Sequence, residues 1–241
     1  MIPWLRAGAP FPPVATALRR PNGLLCASAQ VSAERLVEGY RLGIFPWSVA
    51  GEPVLWWSPD PRMVLVPGEL RVARSLRKRL RAVARAGRPQ VLLDTAFERV
   101  MRECAAARPG QDGTWITEPI VAAYTQLHRR GLAHSVEVWD EERLIGGLYG
   151  VSLGRMFYGE SMFARASDAS KIALAALVRV ALAETVPVID CQQASAHLAS
   201  LGAREIPRRH FEDLLAQATG APAIDWPRYA SAPLNRLLSA Y

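Results

Sequence analysis

Two polar groups set in apolar sequence carry the residue types that could do chemistry. Phe157-Tyr158-Gly159-Glu160-Ser161-Met162-Phe163 holds a carboxylate and a hydroxyl between aromatic flanks. Ile189-Asp190-Cys191-Gln192 holds a second carboxylate, a thiol and an amide at the end of a short apolar run. A buried polar group with its hydrogen bonds met would explain either stretch alone. Two of them, each at the end of an expected strand, point to a site. The first stretch is expected where a strand hands over to a helix N-terminus, whose free N–H groups and dipole suit a polar ligand.

A third feature is a local block of charge. Arg71, Arg74, Arg77, Lys78, Arg79, Arg81, Arg85 and Arg88 fall together with no acid among them. The chain of 241 residues carries a net charge of +7, so these cations account for all of it. A solvated surface helix normally mixes signs. A one-sign stretch fits a polyanion, and nucleic acid is the expected partner.

Three of the 7 tryptophans, Trp47, Trp56 and Trp57, lie close together between prolines. They fit a small aromatic core or a wall on which a base could stack. Cys26, Cys104 and Cys191 make no CxxC pair, which argues for a reducing compartment without disulfides or a zinc site. The N-terminal segment, with Pro3, Pro10, Pro12 and Pro13, does not read as a signal peptide. The longest apolar run, Ile172 to Ala183, is too short for a membrane span. A cytoplasmic protein without a membrane partner is therefore expected.

The elements that must position these groups follow from spacing. Ser32 caps a helix to Leu42, Met63 to Val66 is a strand, and the basic helix covers 71–86 and stops at Gly87. Val91 to Asp94 is a strand, a helix covers 95–107, and Pro109 to Thr114 is a loop. Thr117 caps the next helix, which ends at Gly131. A β-meander follows: His134–Trp139, Leu144–Ser152 and Met156–Glu160. Glycines 146, 147 and 150 suit a bulge or a close approach in its middle strand. Ser167 or Asp168 caps a buried helix over 169–184. Lys171 in its first turn opposes the dipole, so it should meet an acid or a ligand phosphate. Val186 to Asp190 is a strand, short helices follow near 194–200 and 210–218, and the tail is irregular. This order gives an α+β (mixed α/β) protein: a small domain over 1–60 and a larger one over 61–241. The larger one resembles the GNAT acyltransferase fold. It lacks that fold's pyrophosphate loop, so the acyl donor should not be coenzyme A.

Several segments together resemble the bacterial leucyl/phenylalanyl-tRNA–protein transferase family. They include Pro21-Asn22-Gly23-Leu24-Leu25, Gly43-Ile44-Phe45-Pro46-Trp47, Leu55-Trp56-Trp57-Ser58-Pro59-Asp60-Pro61-Arg62 and Gly113-Thr114-Trp115-Ile116-Thr117. They continue with His134-Ser135-Val136-Glu137-Val138-Trp139, Gly159-Glu160-Ser161-Met162-Phe163, Ala169-Ser170-Lys171, Ile189-Asp190-Cys191-Gln192 and Ser200-Leu201-Gly202-Ala203. The resemblance implies a monomer that moves Leu or Phe from Leu-tRNA or Phe-tRNA to proteins beginning with Arg or Lys. That tags them for degradation by the N-degron route. It implies no metal and no organic cofactor. It also implies that Asp190, Gln192 and Glu160 are the catalytic and acceptor-binding residues, and that Trp47 and Trp115 belong to the aminoacyl-adenosine site.

On this reading Ser161 contacts substrate, and Leu148, Met156, Phe157 and Ile189 are candidates for the apolar side-chain pocket. Arg74, Arg77, Lys78, Arg79 and Arg81 would take tRNA phosphates. An amide carbonyl is too weak to be a base, so Gln192 would accept a hydrogen bond and orient the amine. Asp190 would fix that amide or help draw off the proton. Glu160 would face the cationic N-terminus. The chain departs from the family's usual residues at Ser28-Ala29-Gln30-Val31-Ser32, at Leu148 and at Ser195. Two rival readings remain. One is a Cys191 thiol enzyme with His197 or His134 as base, although a strand would turn Cys191 away from its neighbours. The other is a non-catalytic RNA-binding module.

Overall fold

The computed structural model describes residues 2–49, 51–106 and 114–241. The expected Pro109–Thr114 loop lies outside them except for Thr114, as does Gly113 of the Gly-Thr-Trp segment.

The protein is mixed α+β, as its element order predicts. A four-stranded sheet is built from β1 (Trp4–Leu5), β2 (Leu24–Ser28), β3 (Phe45–Pro46) and β4 (Val54–Trp57), in the order β1-β2-β4-β3. Between β2 and β3 lies α1 (Ala33–Arg41), capped by the Ser32 side chain, which accepts from the Arg35 N–H at 3.1 Å. A seven-stranded sheet begins with β5 (Arg62–Leu65). It then takes β6 (Gln90–Leu93), β7 (Ala133–Asp140), β8 (Arg143–Leu153), β9 (Met156–Ala164), β10 (Ile189–Gln192) and β11 (Arg204–Ile206). Its order is β11-β5-β10-β9-β8-β7-β6. Within it β9 and β10 pair in parallel and the other neighbours are antiparallel.

Helices cover both faces of the large sheet. One face carries α1, α3 (Phe97–Ala105), α4 (Glu118–Arg129) and α7 (Arg208–Gly220). The buried side chains of these helices form one cluster with the four-stranded sheet, including Leu36, Tyr40, Trp56, Tyr124, Tyr149 and Phe211. The apolar core thus runs unbroken across Asp60. The other face carries α2 (Arg74–Ala86) and α5 (Ala169–Ala183). Leu76, Leu80 and Val83 turn the one apolar side of α2 into that core, while its cations face out. Helix α5 is apolar nearly all round and is buried accordingly.

The sequence reading shifts in four places. Strand β9 runs on to Ala164, so Glu160 lies inside a strand and not at a helix N-terminus. A β-bulge explains why that strand looked finished (below). Lys171 meets an acid as expected, the Asp168 carboxylate at 2.9 Å, so Asp168 stands at the N-cap position without the expected side-chain cap. Strand β10 starts at Ile189 and carries Asp190, Cys191 and Gln192 within it. The tail is ordered: α7 extends to Gly220, and α8 (Trp226–Ala230) and a 3₁₀ turn at Leu234–Ala240 follow. Trp226, Tyr229, Leu234 and Leu238 bury themselves under the α2–α5 face.

Candidate active site

Two bulges bring the predicted residues together. Between β8 and β9, Tyr149 pairs with Ser161 and Gly150 with Gly159, so Glu160 is the extra residue. The bulge resets the alternation of the strand. Glu160 and Ser161, adjacent in sequence, therefore both face the α4 side. Gly150 is required here, because a Cβ would stand 2.2 Å from the Tyr158 carbonyl oxygen. Between β5 and β10, Asp190 pairs with Val64 and Gln192 with Met63, leaving Cys191 extra. Parallel pairing of β9 with β10 is recorded at Ile189–Phe157 and Asp190–Tyr158 and goes no further. Past that point Gln192, at φ +61°, reaches across to Glu160.

Glu160 is the centre of the site. The hydroxyl of Tyr40 donates to its Oε1 at 2.6 Å, and that of Tyr124 to its Oε2 at 3.1 Å. The Gln192 amide donates Nε2–H to Oε1 at 2.8 Å. With its N–H end so engaged, the amide turns its carbonyl away from Glu160. Burial pushes the Glu160 carboxyl up to about 7, against the three hydrogen bonds that lower it, and the nearby Asp190 carboxylate adds to the rise. Glu160 and Gln192 nonetheless keep part of their surface open.

Asp190 sits behind this pair and is fully buried. Arg62 grips it through two parallel bonds, Nε to Oδ1 at 2.8 Å and Nη2 to Oδ2 at 2.7 Å. Oδ1 also accepts the Gln192 backbone N–H at 2.9 Å. Both carboxylate oxygens are engaged and none faces open space. Of the two roles the sequence left open for Asp190, this geometry allows orientation of Gln192 and not removal of a proton. Arg62 donates its third bond, from Nη1, to the Gly43 carbonyl at 2.9 Å, and its guanidinium lies between the Phe45 and Phe211 rings. It thereby ties β10 to the segment leading into β3 and Trp47.

On the far side of Ser161, the next residue of β9, opens a cavity of about 430 Å³. Trp47, Trp57, Trp115, Leu55, Ile116 and Ser161 line it. Trp47 packs edge-on to Trp57, whose indole N–H donates to the Trp47 carbonyl at 2.6 Å. Trp115 packs on Tyr124, which links this wall to the Glu160 cluster. The predicted Trp47, Trp115 and Ser161 thus share one cavity.

The four proposed pocket residues do not reach it. Leu148, Phe157 and Ile189 belong to the core beneath α5, on the other face of the sheet. Leu148 pairs with Met162, one step out of phase with Tyr149 and Ser161, so it points away. Met156 shares the cavity's face but is fully buried at the far end of β9. The apolar lining of this cavity includes Leu55 and Ile116. The Leu148 departure therefore touches the core, not the cavity, and Ser195 stands at the N-cap of α6 (Ala196–Ser200).

Cys191 packs toward the α5 core, and burial pushes its thiol up to about 12, which leaves negligible thiolate at neutral pH. His134 is bound to Asp94 at 2.6 Å and stacked on Trp226, and His197 is exposed on α6. The thiol-enzyme reading fails on these grounds. Arg74, Arg77, Lys78, Arg79 and Arg81 are exposed on α2, with Arg81 also donating to the Tyr241 carbonyl. Their helix packs on the face opposite the Glu160 cluster. Sequence reasoning passed over Tyr40, Tyr124 and Arg62. Arg62 had a signal, a cation opening the apolar strand Met63–Leu65.

Comparison with known proteins decides the family. The model described as leucyl/phenylalanyl-tRNA protein transferase matches residues 64–216, and the model of that enzyme's N-terminal domain matches 29–60. The chain belongs to the leucyl/phenylalanyl-tRNA–protein transferase family. A leucyl/phenylalanyl-tRNA–protein transferase of Bordetella bronchiseptica is 58% identical over 93% of this chain and 91% of its own. One from Cupriavidus taiwanensis is 56% identical over 98% and 96%, and one from Laribacter hongkongensis 56% over 92% and 94%. The expected function class therefore stands: the chain is an aminoacyltransferase that moves leucine or phenylalanine from tRNA to protein. Among the described residues, no helix is long and apolar enough to cross a membrane. Nor is any group of three or more His, Cys, Asp or Glu placed to hold a metal ion.

Proposed function

We propose that the acceptor is the α-amine of a protein beginning with Arg or Lys, and that the product enters N-degron degradation in the cytoplasm. The observation that carries this reading is the half-open Glu160–Gln192 pair beside an aromatic cavity. The aminoacyl ester is already activated, so orientation of two substrates and handling of one proton suffice. An α-amine, with a pKa of roughly 7.7–8.0, needs no strong base. In this account the Gln192 carbonyl receives an N–H of the amine. Glu160 supplies the negative charge for a cationic N-terminus. Asp190 and Arg62 hold Gln192 in place. Trp47, Trp115 and Ser161 hold the terminal adenosine and its aminoacyl group, with Leu55 and Ile116 against the side chain. The cations Arg74, Arg77, Lys78, Arg79 and Arg81 take phosphates of the tRNA body.

We read residues 1–60 and 61–241 as two domains of a monomer, since each contributes its own sheet, joined by a shared core. We read the larger one as GNAT-like, from its antiparallel meander followed by a parallel pair. The test is transfer of labelled phenylalanine from Phe-tRNA to peptides beginning with Arg, Lys or Ala. Ribonuclease-sensitive labelling of the Arg and Lys peptides alone supports the reading. Equal labelling of the Ala peptide refutes the acceptor assignment. Binding of intact Phe-tRNA with no transfer would favour an RNA-binding module.

A further inference from the structure

The contacts around Glu160 contain one more hydrogen-bonding edge than they have hydrogens. Three edges close a triangle. Tyr40 Oη lies 2.6 Å from Glu160 Oε1, Tyr124 Oη lies 3.1 Å from Oε2, and the two phenol oxygens lie 2.5 Å apart. Each phenol supplies one hydrogen. With Glu160 ionised, two hydrogens serve three edges, and one oxygen–oxygen contact has none. With Glu160 protonated, its O–H serves the third edge and every contact holds a hydrogen. The phenols cannot lose their protons instead, because burial raises both well above the usual tyrosine range.

We propose that Tyr40, Tyr124 and Glu160 form a ring one proton short, and that the acceptor's α-ammonium fills it. This deepens the reading above and rests on it. Glu160 is the group that touches the amine; Tyr40 and Tyr124 are positioning residues that act through it. The step balances. The ammonium passes one proton to Glu160 and becomes the neutral nucleophile. The amine nitrogen forms a bond to the ester carbonyl carbon. The bond from that carbon to the ribose oxygen breaks, and the oxygen takes the second proton of the attacking nitrogen. Glu160 then returns its proton to solvent. Gln192 holds Oε1 through its Nε2–H throughout, which leaves its carbonyl for the amine.

The ring's neighbours bear on its titration. Helix α1 contributes Tyr40, α4 contributes Tyr124, and β8 contributes Tyr149, packed edge-on to Tyr124. Strand β10 contributes Asp190, whose charge faces Arg62 from β5, and β9 contributes Tyr158, which donates to the Tyr40 carbonyl. Helix α3 contributes Cys104, which acts on Tyr149. Of these, the Asp190 carboxylate raises Glu160, and the two ring phenols lower it.

The test is the pH profile of kcat/KM for an Arg-initiated peptide, with the full chain and Phe-tRNA. The wild type should show an acidic limb near neutrality. Tyr40→Phe and Tyr124→Phe each remove one bond to the carboxylate, so that limb should move up by about half a unit or more. A purely structural role would lower the rate without moving the limb. Glu160→Gln should lose the limb and leave that of the amine. Because the Tyr variants place a methine beside a buried carboxylate and can misfold, the wild type is also titrated by difference infrared against Glu160→Gln. A single carboxyl protonating near neutrality is expected. The ring is overturned if no such carboxyl titrates, or if the folded Tyr variants keep the wild-type limb. Absence of any transfer by the wild type would instead sink the acceptor reading beneath it.

Discussion

Breaking the Arg62–Asp190 pair should damage folding and catalysis in separable ways. Both side chains are fully buried, and Arg62 makes three bonds that no other described residue can replace. Arg62→Gln leaves the Asp190 carboxylate buried without a cation, a change that costs roughly 3–5 kcal/mol. A domain of this size loses about 2–4 °C of Tm per kcal/mol, so the melt should fall by roughly 6–20 °C. Replacing both partners, as Arg62→Gln with Asp190→Asn, removes the stranded charge and should recover most of that Tm. It does not restore the two-pronged grip that sets Gln192, so single-turnover transfer should stay at least about tenfold down. Affinity for Phe-tRNA should be largely kept, since the α2 cations proposed to meet its phosphates lie on the opposite face. The assay is thermal melting, filter binding and single-turnover transfer on the same preparations. A double variant that melts like wild type and transfers at the wild-type rate refutes the claim that this pair orients Gln192. A single variant without loss of Tm refutes the energetic argument.

Three further outcomes follow from the same geometry. Removing Arg77, Lys78 and Arg79 together should weaken Phe-tRNA binding and reduce the log K versus log salt slope by roughly 2–3, and an unchanged slope would count against α2 as the tRNA surface. Cys191→Ala should retain transfer within about twofold, because a thiol held near 12 has no nucleophilic role; loss of activity in a folded variant would reopen it. Stability should fall as pH rises through neutrality. Glu160 and the fully buried Glu137 are both pushed up to about 7 by burial from 4.5. A raised carboxyl adds stability below its unfolded pKa and loses it as pH passes the folded one, worth about 3 kcal/mol for each group. A Tm at pH 8.5 equal to that at pH 5.5 would contradict this.

The legible parts of the sequence were those set by periodicity and composition. The caps at Ser32 and Gly87, the meander and the buried helix over 169–184 came from local patterns. Glu160, Asp190 and Gln192 stood out because polar residues inside apolar strands need partners. What the pattern could not give was the face on which a side chain emerges after a bulge. Leu148, Phe157 and Ile189 read as pocket walls because they neighbour the polar residues in sequence. The extra residue at Glu160 shifts the phase, and they end beneath α5. The tyrosines were illegible for another reason. Tyr40 and Tyr124 sit on helix faces as ordinary core aromatics would, and only the packing of α1 and α4 over β9 brings their hydroxyls to one carboxylate. Nothing in their local sequence separates them from Tyr149, whose hydroxyl makes no hydrogen bond to a described residue.

The two bulges also account for how one sheet can hold carboxylates in opposite states of use. Asp190 and Glu160 lie on neighbouring strands and face the same side. On a regular sheet their charges would oppose each other without relief. Asp190 falls before its bulge, paired with Val64 of β5, and Arg62, two residues back on the same face, reaches over to neutralise its charge. Glu160 is itself the bulged residue, outside the ladder. No cation is placed against it among the described residues. Its partners are neutral hydrogen-bond donors, so its charge is stabilised only in part and its proton affinity stays near neutrality. A structural ion pair and a titrating carboxyl thus arise from a difference of one residue in register. Moving the bulge, by inserting or deleting one residue at Gly159, would turn Glu160 to the α5 core. Its bonds to Tyr40, Tyr124 and Gln192 would go with it. Loss of transfer with tRNA binding kept is the outcome this argument requires.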